Sequence, residues 1–565
     1  MPSPSFPEPP PAIDPTPIAH VDAAAARLHD KRAEWLTVDV PERVRILERL
    51  LADTRAEAEA WVATMCKLKG IDPESALCGE EWLSGPAATV RNIRLLIENL
   101  RENGQRRPPS VSTRPSGQKV VRVLPDGVRD KLLFGGFTAD VWIEPGKEAT
   151  QGRIYREPKG EPKLALVLGA GNISSIPPMD VLYKLFAEDE VVILKMNPVN
   201  EVVGPHLEKA FATLIERGFL SIVYGGADVG AHLASHDQVD TLHVTGSNRT
   251  YDAIVWGGDP QEQERRKAAN DPINTRPFTA ELGAVTPILV IPGDWNEKQL
   301  LFQARHVAAM VAHNGSFNCN AGKVLVTAKG WNLRERFLKA VHEAMGRTPP
   351  RKAYYPGAAD RYQAFLDNYP QAVALGEDGP DIVPWTAIPD VPPEQGQYAL
   401  SNEAFCGVLA EVALEATTPA EMLQAGVHFA NERCFGTLSC CMLIDERTQK
   451  QHATELDAAI EGLHYGGIGI NAWPGMIYAF CSTTWGAFPG HPPTDISSGT
   501  GVVHNTFLLD HPQKSVVRSA FVPPMTPAYF ADHATLKALG KGLVEMEAKP
   551  GAGALLGLAW AGMRG

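Results

Sequence analysis

Lys163-Leu-Ala-Leu-Val-Leu-Gly-Ala-Gly-Asn172 is the stretch that decides the fold. Its apolar run is too short for a helix and shows no alternation, as expected of a parallel strand covered on both faces. A glycine turn ends it, and Met179, Leu182, Tyr183 and Leu185 then fall at helical spacing. The pattern repeats with a strand Glu190-Val-Val-Ile-Leu-Lys195, a helix over 202–217, a strand Ser221-Ile-Val-Tyr224 and a helix over 228–235. A further strand and turn, Thr241-Leu-His-Val-Thr-Gly-Ser247, closes the series. Strand-helix units joined by short connections predict a doubly wound parallel sheet. Ligands of such sheets sit at the carboxyl ends of the strands. Asn172, Lys195 and Ser247 each lie just past a strand end, which marks a nucleotide site. Gly169-Ala-Gly171 is only the first half of G-x-G-x-x-G, so the phosphate contacts are built without that fingerprint.

Toward the amino end, Met1 to Thr16 is proline-rich and reads as a disordered or extended arm. Residues 20–106 are helical in pattern, with Pro41 in a first turn and a stripe of Val44, Ile46, Leu47, Leu50 and Leu51. Phe137–Ile143 and Gly152–Glu157 alternate like two strands around a turn. Toward the carboxyl end, Lys514–Phe521 alternates like an edge strand that pairs with the 137–160 hairpin. An exposed edge invites self-association, which predicts a symmetric homodimer or a dimer-based tetramer. The 522–565 tail is an extension whose apolar run Gly551–Trp560 is too short to span a bilayer; it caps a neighbouring funnel or touches a membrane surface.

A chain of 565 residues exceeds one hydrophobic core, so two or three domains are expected. The net charge of −13 argues against nucleic acid as a partner, because phosphate neutralisation needs a basic face. The 8 cysteines have no regular spacing and no C-x-x-C pair, which fits free thiols in a cytoplasmic protein. The start of the chain carries no basic-then-apolar signal pattern. One cysteine stands apart. Cys319 lies in the polar, glycine-flanked stretch His313-Asn-Gly-Ser-Phe-Asn-Cys-Asn-Ala-Gly-Lys323, a poor place for a core residue and a good one for a nucleophile.

These stretches occur in the order found in the aldehyde dehydrogenase superfamily, and residues 163–520 resemble it. Gly171-Asn172 with Pro177-Pro-Met looks like the segment supplying an oxyanion-holding asparagine. Leu194-Lys195-Met-Asn-Pro198 resembles the strand end whose lysine holds the adenosine ribose, and Val244-Thr-Gly246-Ser247 the turn at the pyrophosphate. Thr279-Ala-Glu281-Leu-Gly283 resembles the general-base motif, and Cys319-Asn-Ala-Gly322 the nucleophile motif. Glu403-Ala-Phe405 is similar to the motif whose glutamate holds the nicotinamide ribose. There are departures. Ala284 replaces a glycine, and Tyr251 stands where a glycine lets the helix start approach the cofactor. Cys406 and Gly407 follow Phe405 in place of glycine and proline, with a buried thiol the expected state of Cys406. Pro198 stands where NAD-preferring members carry a ribose-binding glutamate.

The resemblance implies an α/β fold with a Rossmann-type nucleotide-binding domain (1–136 and 161–281) and an α/β catalytic domain (282–495). A small β oligomerisation element (137–160 and 496–521) and the 522–565 extension complete it. It implies oxidation of an apolar or aromatic aldehyde to the acid with NAD or NADP, the preference unresolved. Cys319 is then the nucleophile, Glu281 the base and Asn172 the oxyanion donor, with no metal. Lys195, Gly246, Ser247, Glu403 and Phe405 hold the cofactor. Trp473, Tyr478, Phe480, Trp485 and Phe488 are expected to line the entrance. The alternatives are a CoA-acylating aldehyde dehydrogenase, against which Glu281 speaks, and a catalytically silent protein on the same fold.

Overall fold

Leu164–Leu168 is buried along its whole length, at the centre of a six-stranded sheet. The computed structural model describes residues 3, 6–551, 557–558, 561–562 and 564. Across this sheet the order is Gly499–Thr500, Phe278–Leu282, Thr241–Gly246, Leu164–Leu168, Val191–Lys195 and Leu220–Val223. All pairings are parallel except that of Gly499–Thr500. From Leu164–Leu168 the chain builds outward on one side and then crosses back to Thr241–Gly246 on the other. That reversal opens a crevice at the carboxyl edge. Register sets what faces it: Leu168 lies opposite Lys195 and Val244, and Thr245 opposite Glu281.

An eleven-stranded sheet forms the second layer system. At its heart Thr286–Val290, Gly322–Ala328 and Val408–Leu414 run parallel, each buried almost throughout. Gly283, Cys319 and Glu403-Ala-Phe405 immediately precede these three strands. The amino edge of this sheet therefore faces the carboxyl edge of the first, and Glu281 and Gly283 sit on the segment joining them.

The structure corrects several expectations. The helix over 202–217 is divided at Phe211 into Gly204–Ala210 and Ala212–Glu216. Gly152–Glu157 is not a strand; Arg153–Arg156 is a helical turn, and Thr138–Ile143 pairs instead with Lys119–Leu124. Pro512–Arg518 does pair with Thr138–Ile143, but its other side pairs with Gly467–Ile470, so it is not an edge. Its polar residues are satisfied internally. Lys514 Nζ donates to the carbonyls of Ile460, Glu461 and Leu463 at a helix carboxyl end. The free edges of this sheet are Ser110–Thr113 and the two-residue Val373–Ala374, and the residues of both are exposed.

The extension folds onto its own chain. Helix Leu536–Ala548 packs against Gly79–Trp82, and Glu547 is buried between Arg91 and Arg94. Arg91 also meets Asp130 at 3.1 Å. Burial opposes its charge, but the two guanidinium groups hold the Glu547 carboxyl below its usual range. Removing one member of a buried charge cluster leaves the others unpaired. Glu547→Gln is expected to destabilise by about 3–5 kcal/mol, read as a lower denaturation midpoint. As pH falls through the depressed Glu547 pKa, parental stability is expected to drop toward that of the variant. Gly551–Trp560 falls largely outside the described residues. No described helix is long and apolar enough to cross a membrane.

Candidate active site

Cys319 follows a sharp turn in which Asn314, Gly315 and Ser316 all have left-handed backbone (φ 56°, 65° and 70°). Two non-glycine residues in that region store strain that the surroundings must hold. They do so with charge. Lys69, from the end of helix Val40–Lys69, donates to Asn314 Oδ1 at 2.8 Å and to the Asn172 carbonyl at 3.3 Å. Glu81 pairs with Lys69 at 2.8 Å, both side chains being 1% exposed. Tyr354 Oη adds bonds to the same two acceptors. This clamp fixes Asn172 and the cysteine loop to each other. Nothing in the sequence signals it, since Lys69 lies far along the chain from either residue.

Cys319 is the one partly exposed cysteine; Cys66, Cys78, Cys406, Cys434, Cys440, Cys441 and Cys481 are buried. Its thiol is in hydrogen-bond contact with the Glu281 carboxylate, which also accepts from Trp485 Nε1 at 3.2 Å. Burial pushes the Glu281 pKa up to about 8, against the hydrogen bonds from Cys319 and Trp485. Burial, followed by the charges of Glu281 and Glu403, pushes the thiol well above its ordinary range, while Lys323 opposes them. Lys323 Nζ donates to the carbonyls of Asn318, Cys319 and Ala321 and lies 3.5 Å from Glu403. Asn172 Nδ2 donates to the Phe317 carbonyl at 2.9 Å, which leaves its second N–H free to serve a ligand.

All eight residues singled out from the sequence line one groove of about 900 Å³: Asn172, Lys195, Gly246, Ser247, Glu281, Cys319, Glu403 and Phe405. Its features suit a dinucleotide. Burial lowers the Lys195 pKa to about 8, so an anionic or hydroxyl-rich ligand there relieves a desolvated cation. Glu403 Oε1 is buried without a hydrogen-bond partner. A side chain on Gly283 would lie 1.8 Å from Glu403 Oε2, so only glycine admits that carboxylate. Ser247 caps helix Asn248–Trp256, presenting backbone N–H groups to the groove. Tyr251 is buried against Phe278 and does not line the groove, contrary to the expected obstruction. Cys406 is fully buried, as expected.

A second chamber of about 530 Å³ meets the groove at Asn172, Glu281 and Cys319. Trp473, Tyr478 and Trp485 line it, whereas Phe480 packs on Phe134 and Phe137 and Phe488 stacks on His464. Pro523, Met525, Tyr529 and Leu543 supply one wall, so the extension closes the chamber of its own chain. Among its polar lining residues are Asp180 and His504. Asp180 accepts from Thr245 Oγ1 at 2.9 Å through one oxygen, and its other oxygen and both His504 ring nitrogens have no hydrogen-bond partner.

The chain is similar to an indole-3-acetaldehyde dehydrogenase solved with NAD+ (17% identity, 90% of each chain covered, TM-score 0.58). It is similar to the gamma-glutamyl-gamma-aminobutyraldehyde dehydrogenase of Burkholderia cenocepacia J2315 (17% identity, 88% of each chain, TM-score 0.60). It also resembles the NADP-dependent glyceraldehyde-3-phosphate dehydrogenase of Bacillus halodurans C-125 solved with NADP (14% identity, 90% of this chain and 92% of that one, TM-score 0.58). Such identities speak for the fold. The aldehyde dehydrogenase family model matches residues 148–354, within which lie Asn172, Lys195, Ser247, Glu281 and Cys319. No curated protein matches the chain.

Proposed function

We propose that the protein oxidises an apolar aldehyde to its carboxylic acid with NAD or NADP, through Cys319. The observation that carries this is the junction itself: Asn172, Glu281 and Cys319 border both the groove and the apolar chamber. An aldehyde in the chamber reaches the thiol from one side. On the other side Lys195, Ser247, Glu403 and Phe405 would hold a dinucleotide, whose nicotinamide would supply the hydride acceptor.

Glu281 takes the thiol proton as sulfur bonds to the carbonyl carbon, and the carbonyl oxygen becomes an oxyanion. The free Asn172 N–H and the Cys319 backbone N–H hold that charge, a contribution worth about 3–4 kcal/mol per donor. Loss of hydride from the carbon re-forms the carbonyl as a thioester on Cys319. With its proton passed to solvent, Glu281 then takes one from water; the hydroxyl bonds to carbon, the C–S bond breaks and the acid leaves.

The eight free cysteines favour a cytoplasmic setting. The expected dimer is retained only as pairing through the open edge Ser110–Thr113. Straight-chain and aryl aldehydes tested with NAD and NADP in parallel are expected to give acid and reduced cofactor in equal amounts. An aldehyde panel that reduces neither cofactor refutes the reading.

A further inference from the structure

The amino-terminal arm is not free; it lies along the dinucleotide groove. Thr16 exchanges hydrogen bonds with the backbone of Tyr224 (3.1 and 3.0 Å), at the end of Leu220–Val223. Ala12 and Ile13 N–H donate to Glu201 at 2.6 and 3.0 Å. Phe6 packs edge-on against Tyr355 and Phe405, with ring centroids 5.1 and 5.2 Å apart. Arg249 Nε donates to the Ser3 carbonyl at 2.8 Å, beside the capping Ser247. Between these anchors Glu8 Oε1 accepts from Ala227 N–H at 2.5 Å, at the start of helix Ala227–Ser235, and its charge reaches Lys195. Phe6, Pro7, Glu8 and Pro9 line the groove, yet about 900 Å³ stays open. A cavity of that size accommodates an extended ligand. The arm is therefore a wall of the groove rather than a plug in it.

Resting on the dinucleotide reading above, we propose that Glu8 is a specificity-determining residue that accepts the adenosine ribose diol and selects NAD over NADP. The strand end that carries Lys195 continues as Met196-Asn-Pro198 and offers no carboxylate to a diol. In doubly wound folds a carboxylate near the second strand end accepts from the ribose 2′-hydroxyl. Glu8 delivers one to that place from outside the sheet. A 2′-phosphate brings like charge against it and removes the 2′-hydroxyl as a donor. The arm then joins specificity to closure, because the segment that reads the ribose also packs Phe6 on Phe405 at the other end.

Equilibrium binding of NAD+ and NADP+, followed by intrinsic fluorescence, tests this on the parental chain, Glu8→Gln and a chain starting at Pro10. The parental chain is expected to favour NAD+, and Glu8→Gln to shrink the ratio of the two Kd values by at least about tenfold. Loss of the arm is expected to do the same and to weaken NAD+ binding as well. A parental preference for NADP+, an unchanged ratio in Glu8→Gln, or tighter NAD+ binding without the arm overturns the inference while leaving the catalytic reading intact. Failure of either dinucleotide to bind any form sinks both.

Discussion

Replacing Cys319 with alanine is expected to lower aldehyde-dependent cofactor reduction by at least about four orders of magnitude, with the Kd for the dinucleotide held within about twofold. The size of the effect follows from the absence of a substitute. The other cysteines are buried, and burial pushes several of them up: Cys406 to about 12, with Cys434, Cys440 and Cys441 also raised. None borders both cavities. The groove residues belong to the other sheet or to strands held independently of position 319. Dinucleotide binding is therefore the control that separates a lost nucleophile from a collapsed site. Turnover at even a hundredth of the parental rate would remove Cys319 from the chemistry.

The parts of the fold legible in the sequence are those in which both faces of a strand are buried, because apolar composition then reports position directly. Leu164–Leu168, Val191–Lys195 and Thr241–Gly246 are of this kind, and the residues just past their ends fell into the groove as expected. Composition misled where polar atoms are satisfied inside. Lys514, Ser515 and Arg518 give Pro512–Arg518 the look of an edge, but Lys514 caps a helix and Ser515 bonds Thr484. Gly152–Glu157 alternates for another reason: Gly152 sits at φ 64°, and Tyr155 turns in to donate to the Phe186 carbonyl. The clamp of Lys69, Glu81 and Tyr354 had no local signal at all, since its meaning lies in contacts across more than a hundred residues of chain. The extended form of the arm was legible in its prolines, but its partners were not, since Glu201, Tyr224 and Ala227 lie far along the chain at the ends of strands and the starts of helices.

Glu281→Gln is expected to divide the reaction in two. The thiol then gives its proton to solvent instead of to Glu281 and reacts more slowly, but it still reacts, because removing the carboxylate charge takes away one of the groups that raise its pKa while Lys323 remains. One equivalent of reduced cofactor per site should therefore appear as a burst. Hydrolysis of the thioester then lacks its base and slows by about two to four orders of magnitude. Mass spectrometry of the quenched variant should show Cys319 carrying the acyl group. The parental enzyme offers a matched test in pH. Glu281 acts only when ionised, and burial places its pKa at about 8, so steady-state turnover should rise with pH through that region and the variant should lose the rise. Addition of CoA to the stalled variant separates the two resolving nucleophiles: rapid release as an acyl-CoA would favour the acylating alternative, and a persistent acyl-enzyme favours water. A variant that keeps the parental steady-state rate would mean that some other group activates the water, and the contact of Glu281 with the thiol would then be structural.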